Sequence, residues 1–216
     1  MAQRRGKFNG RKWRQTMTRF QCARAALLMV AMACLSQVLP ASSGAPVIAA
    51  TGGTDTAALR DGQHDFDFNI GTWKTHIRYL HKPPTGPNVW VVLQGTVTVR
   101  KVWGGRAELE EIEADGATGH FEGLTIFLYD PQSHQWSQTF TDSNDGHPEQ
   151  PMIGGFKDGR GELISQLAYQ GRTVLMRGVW SDIKANSHRF EESFSDDGGR
   201  TWQPQFLASL TRESQG

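Results

Sequence analysis

Residues 72–81 read Thr-Trp-Lys-Thr-His-Ile-Arg-Tyr-Leu-His, and their alternation decides the fold class. Trp73, Thr75, Ile77 and Tyr79 fall on one face, and Lys74, His76 and Arg78 on the other. A period of two with one apolar face is the signature of a half-buried strand, because successive side chains leave opposite faces of a sheet. The same alternation recurs along the chain. It predicts further strands at 88–103, 106–114, 119–129, 134–142, 151–157, 161–169, 172–182, 187–195 and 201–211. Turn chemistry separates them: Gly104-Gly105, Asp130-Pro131-Gln132-Ser133, Asn144-Asp145-Gly146, Lys157-Asp158-Gly159 and Asp197-Gly198-Gly199. No segment after residue 70 carries a helical period, and no repeat of fixed length appears. About ten short strands with tight turns imply an antiparallel up-and-down β-barrel, since closure removes the exposed edges. A β-sandwich is the structural alternative.

Period two also assigns faces. Val91, Leu93, Val97 and Val99 point inward, as do Trp136 and Phe140, Leu163, Ser165, Leu167 and Tyr169, and Val174, Met176, Gly178 and Trp180. Phe190 and Phe194 flank Glu192, and Phe206, Ala208 and Leu210 lead to Arg212. In 106–114, taking Ala107 and Leu109 as inner carries Glu111 inward with them. Strand 119–129 is apolar on both faces and stays unassigned. The interior is then aromatic with a few polar groups, which is the composition of a small-molecule site. The candidate ligand contacts are Tyr79, Glu111, Trp136, Gln138, Tyr169 and Glu192. A carboxylate on an inner face must be paired, protonated or wet. If the barrel is an enzyme, Glu111 and Glu192 are its acid/base candidates.

The segment His64-Asp-Phe-Asp-Phe-Asn-Ile-Gly-Thr-Trp73 resembles the opening of a family of secreted bacterial proteins with no assigned function. Glu122-Gly-Leu-Thr-Ile-Phe-Leu-Tyr-Asp-Pro131, Gln135-Trp136 and Ser195-Asp-Asp-Gly-Gly-Arg-Thr-Trp202 match the same pattern, so the resemblance spans nearly all of 64–212. It implies a calycin-like barrel, the group that contains lipocalins, fatty-acid-binding proteins and nitrobindins. Gly71-Thr-Trp73 resembles the start of the first lipocalin strand, where an Arg from the last strand stacks on the Trp. The resemblance gives Gly71, Trp73 and Arg212 that structural role, with a cation–π contact of about 0.5–2 kcal/mol. Nitrobindins suggest a haem held by a His near the chain end. The last strand here has no His, and His188 is the final one, so no cofactor is expected.

Other motifs carry less. Ser195-x-Asp197-x-Gly199-x-Thr201-Trp202 occurs once and reads as turn chemistry. Asp142 to Gly146 lacks the spacing of a calcium loop. His64 with Asp65 and Asp67, and His120 with Glu122, offer two ligands each and no zinc spacing, so no metal site is expected. Asp65 and Asp67 are instead expected to cap a short turn that plugs the barrel bottom. No nucleophile elbow, phosphate loop or dinucleotide fingerprint is present.

Charge and leader set the compartment. Eight of the 23 Lys and Arg residues, and none of the 22 Asp and Glu residues, lie before Asp55. The remainder has 15 basic and 22 acidic groups, a formal charge of −7, which argues against nucleic acid and anionic membranes as partners. Both cysteines, Cys22 and Cys34, precede it too. Ala25–Leu35 is an uncharged apolar run after a basic region and before small residues, the layout of a secretory signal. It is about half the length of a membrane span. The expected organisation is a leader over 1–49, a flexible tether over 50–63 and a barrel domain over 64–216. Met17 is an alternative start, and lipidation at Cys34 is a lesser possibility than cleavage. The expected location is the periplasm or outside the cell.

Three functions fit this sequence. The first is a secreted barrel that binds a small apolar or amphipathic molecule in its interior. The second is a barrel enzyme of the isomerase, cyclase or lyase type working through interior carboxylates. The third is a periplasmic interaction module using loop 82–88, Lys-Pro-Pro-Thr-Gly-Pro-Asn.

Overall fold

A computed structural model describes residues 60–81, 87–169 and 171–213. The expected leader, most of the tether, Met17, Cys34 and residues 82–86 of the Pro-rich loop lie outside these residues. Ten strands follow one another: β1 (Gly71–His81), β2 (Val89–Val102), β3 (Ala107–Gly116), β4 (Gly119–Asp130) and β5 (Gln135–Asp142), then β6 (Met152–Lys157), β7 (Arg160–Tyr169), β8 (Arg172–Lys184), β9 (Ser187–Ser195) and β10 (Gln203–Arg212). Each pairs antiparallel with its sequence neighbours, and β10 returns to β1, closing an up-and-down barrel. Every strand expected from the alternation is present. Ladder lengths vary widely, from eleven paired residues between β1 and β2 to three between β5 and β6.

Closure depends on chemistry at the β1–β10 seam. Trp73 pairs with Arg212 across the ladder. The Arg212 guanidinium lies 4.0 Å from the Trp73 ring centroid. Its three nitrogens donate to the carbonyls of Ala185, Ile70 and Phe68 at 2.9, 3.0 and 3.2 Å. Gly71 stands beside it with φ +125, where a Cβ would lie 2.5 Å from Arg212 Nη1. Only glycine combines that backbone angle with that clearance.

One end of the barrel is plugged by the segment leading into β1. A short 3-10 turn, Asp67–Asn69, folds under the strands. The plug includes Gly62, which is buried. The buried Trp136 Nε1 donates to Gly62 O at 2.8 Å, and Gly62 N donates to the Tyr129 hydroxyl at 3.1 Å. Asp65 and Asp67 do not cap the turn. Asp65 pairs with Arg60, and Asp67 with Lys101. Phe66 is fully buried at the centre of an aromatic cluster, with ring centroids of Phe127, Phe156, Trp136 and Trp180 at 4.6, 4.8, 5.1 and 5.5 Å.

The wall explains why β4 resisted assignment. Phe121, Thr125, Phe127 and Tyr129 are buried, while Ile126 and Leu128 are exposed on the outer surface. Ile126 pairs with Leu109 of β3, and outward Ile153 of β6 pairs with Ile164 of β7. The outer wall here is apolar as well, so both faces of β4 read alike in the sequence.

The plug should be energetically central. Truncating Phe66 to Ala should cost ~3–5 kcal/mol, as for a large buried aromatic. At about 2–4 °C per kcal/mol in a domain of this size, the melting temperature should fall by ~6–20 °C in thermal denaturation.

Candidate functional site

Above the plug the barrel encloses a cavity of about 50 Å³. A buried water needs about 10–15 Å³ on this scale, so the space corresponds to roughly four waters, or about one aromatic ring. Thr75, Ile77, Val97, Ile112 and Leu210 form much of its wall. Phe140, Trp180, Phe190 and Phe206 supply aromatic surface. Its charged lining residues are Glu110 and Glu192, and among the described residues no Lys, Arg or His contributes to it.

Glu110 is the most constrained of these groups. It is buried on β3, with Thr125 Oγ1 donating to Oε1 at 2.8 Å and Asn69 Nδ2 donating to Oε2 at 3.3 Å. Burial pushes its carboxyl above the usual range, and those two hydrogen bonds partly offset the shift. The plug, through Asn69, and the neighbouring strand β4, through Thr125, thus hold it in place. Gln138 is fixed by Trp180, whose Nε1 donates to Oε1 at 3.1 Å. Thr75 Oγ1 is buried and has no hydrogen-bond partner.

The residues expected to bind a ligand divide accordingly. Gln138 and Glu192 line the cavity. Glu111 does not, because it is exposed on the outer face and Glu110 takes the inner position. Ile112 and Ala114 set the phase of β3, and half-buried Leu109 joins the apolar outer wall instead. The Glu111–Glu192 acid/base pair is therefore not assembled. Tyr79 is buried beyond the cavity lining, its hydroxyl 3.1 Å from Thr118 Oγ1. Trp136 belongs to the aromatic cluster around the plug. Tyr169 packs edge-on against Phe194 at 6.2 Å rather than against the cavity. Glu110 could have been found by reading β3 back from Ile112 and Ala114. Thr75 carried no such signal, since an inner threonine is ordinary.

Two further buried groups lie lower in the barrel. His188 is packed among the rings of Trp73, Phe68 and Trp180 at 4.4, 5.1 and 5.7 Å, with neither ring nitrogen hydrogen-bonded. Burial, reinforced by the Arg212 charge, lowers its pKa to about 4. Both carboxyl oxygens of Glu108 are buried without a partner. Burial, with Asp67 adding to it, raises its pKa to about 8. Among the described residues no group of three His, Cys, Asp or Glu side chains is arranged to hold a metal. The Ser195–Thr201 hairpin is turn chemistry, as expected. Asp197 accepts from the amides of Arg200 and Thr201, each at 3.0 Å, and from the Ser195 and Thr201 hydroxyls at 2.8 and 2.7 Å.

No protein-family model matches the chain. No curated protein matches it. Solved structures that are similar to it include EF1p2_mFAP2b bound to DFHBI, at 9% identity and a TM-score of 0.39, covering 70% of this chain and 99% of that one. A de novo designed fluorescence-activating β-barrel is 12% identical with a TM-score of 0.38 over 72% of this chain and 100% of that one. The S-type phycobiliprotein lyase CPES from Guillardia theta is 9% identical with a TM-score of 0.48, covering 73% of this chain and 96% of that one.

Opposed titrations should shape the stability profile. His188 is held neutral, so stability falls as pH drops from about 6.5 to about 4, where the unfolded chain binds the extra proton. Glu108 is held protonated, so stability falls as pH rises from about 4.5 to about 8, where the unfolded chain releases its proton. Urea denaturation should therefore show greatest stability near pH 5–6 from these two groups. Glu108→Gln should remove the alkaline limb and uncover the full His188 dependence, so that stability rises from about pH 4 to about 6.5 and then stays level.

Proposed function

We propose that the barrel is a binding protein for a small apolar or amphipathic molecule held in the cavity above the plug. The observation that carries this reading is the lining itself: four aromatic rings around a partly open space that also presents Glu110, Gln138 and the unpartnered Thr75 hydroxyl. Apolar surface supplies affinity in such a site, and the few polar groups fix orientation. The basic-then-apolar leader supports export, and the HDFDF opening with its Gly-x-Trp supports membership of the secreted calycin-like family. N-terminal sequencing of protein recovered from the periplasm tests the export reading, and retention of the whole leader in a cytoplasmic fraction refutes it.

Native mass spectrometry of the purified protein, before and after denaturation, tests the binding reading. A co-purifying mass lost on denaturation is the expected result. Ala208 lines the cavity, so Ala208→Phe should fill it. This variant should lower the affinity of the captured molecule at least tenfold while the far-ultraviolet circular dichroism stays that of a β-barrel. Unchanged affinity would place the ligand elsewhere.

A further inference from the structure

The sign of the cavity's polar groups is uniform. Glu110 and Glu192 are its charged members, and Thr75, Thr125 and Gln138 add hydroxyl and amide oxygens. Two of these groups are already committed as acceptors, Glu110 to Thr125 and Asn69, and Gln138 to Trp180. The Thr125 hydroxyl and the Trp180 indole N–H are thus turned onto acceptors of the cavity, and among the described residues no cationic side chain lines the space. An anionic ligand would enter beside two acidic groups, and like charges held in one site repel. A cation would meet the opposite situation. It would meet two carboxyl groups in a lining that also holds Phe140, Trp180, Phe190 and Phe206, and a ring face turned to it adds cation–π attraction. Burial disfavours the ionised form of Glu110. A cation at hydrogen-bonding distance removes that penalty, so each would stabilise the other's charge. The formal charge of −7 on residues after the leader attracts cations toward the barrel as well.

We infer that the cavity selects a compact aromatic or cyclic molecule bearing a protonated amine, with Glu110 and Glu192 as the acceptors of its ammonium group. The inference rests on the binding function proposed above and narrows it to one ligand class. The size follows from the cavity, which accommodates about one aromatic ring.

Three matched probes test it: 2-phenylethylamine, 2-phenylethanol and phenylacetate, titrated at neutral pH into the purified protein and followed by intrinsic tryptophan fluorescence and calorimetry. The amine should bind at least tenfold more tightly than the alcohol, and phenylacetate more weakly than either. Glu110→Gln and Glu192→Gln should each reduce the amine-to-alcohol preference fivefold or more. Far-ultraviolet circular dichroism matching that of the parent protein shows that both variants fold. Equal affinity for amine and alcohol, or tighter binding of phenylacetate, overturns the cationic selectivity and leaves the cavity as a binding site. Failure of all three to bind, together with a bare chain mass in native spectrometry, overturns both readings.

Discussion

The stacking of Arg212 on Trp73 joins the last strand to the first, and the rest of the structure depends on that join. A ten-stranded sheet left open would present two unpaired edges and an uncovered apolar face. The guanidinium does more than cover the indole. Its bonds to Phe68, Ile70 and Ala185 tie the plug and the β8–β9 turn to the same point. The indole N–H in turn donates to Asn69 O at 2.7 Å, inside the plug. Asn69 then reaches Glu110. A chain of contacts therefore runs from the barrel seam, through the plug, to the acidic group of the cavity. Gly71 permits it by leaving space that any side chain would occupy.

The interior combines this order with unfavourable burial. Glu108, Glu110 and His188 are enclosed, and only Glu110 has hydrogen-bond partners among the three. Neutral forms make such burial tolerable, since an isolated charge at these positions would cost far more than the packing around it returns. The barrel thus holds Glu108 protonated and His188 unprotonated near neutral pH, and burial biases Glu110 toward its neutral form. Glu110 differs from the other two because it borders open space, where a ligand can change its surroundings.

Much of this architecture was legible in the sequence. The alternation of Trp73, Thr75, Ile77 and Tyr79 survives intact, because β1 separates core from solvent cleanly. The turns were equally plain, since Gly and Asp stand where the backbone adopts positive φ, as at Gly104, Asp158 and Gly198. The site was less legible for a specific reason. In Glu-Leu-Glu-Glu-Ile-Glu-Ala, residues 108–114, Leu109 and Ile112 are three apart and cannot both face inward. Choosing Leu109 sends Glu111 into the barrel, and choosing Ile112 sends Glu110 there. The ladder decides for Ile112, which lies opposite the inward Val97 of β2. Tyr79, Trp136 and Tyr169 were placed on inner faces correctly, but a face does not reveal height along the barrel. That height separates the cavity from the plug below and the rim above.

The barrel is not equally strong around its circumference. Between β5 and β6 only Trp136–Gly154, Ser137–Ile153 and Gln138–Met152 are paired, so this staple is the shortest in the wall. Parting two strands costs least where the fewest ladder bonds must break. Gln138, whose side chain reaches the cavity, sits directly on that seam. The weakest line of the cylinder thus passes beside its internal space. A brief parting there would open a lateral doorway far from the Trp73–Arg212 clasp, and the plug would feel it, because Trp136 and Phe156 on the two parting strands both pack on Phe66.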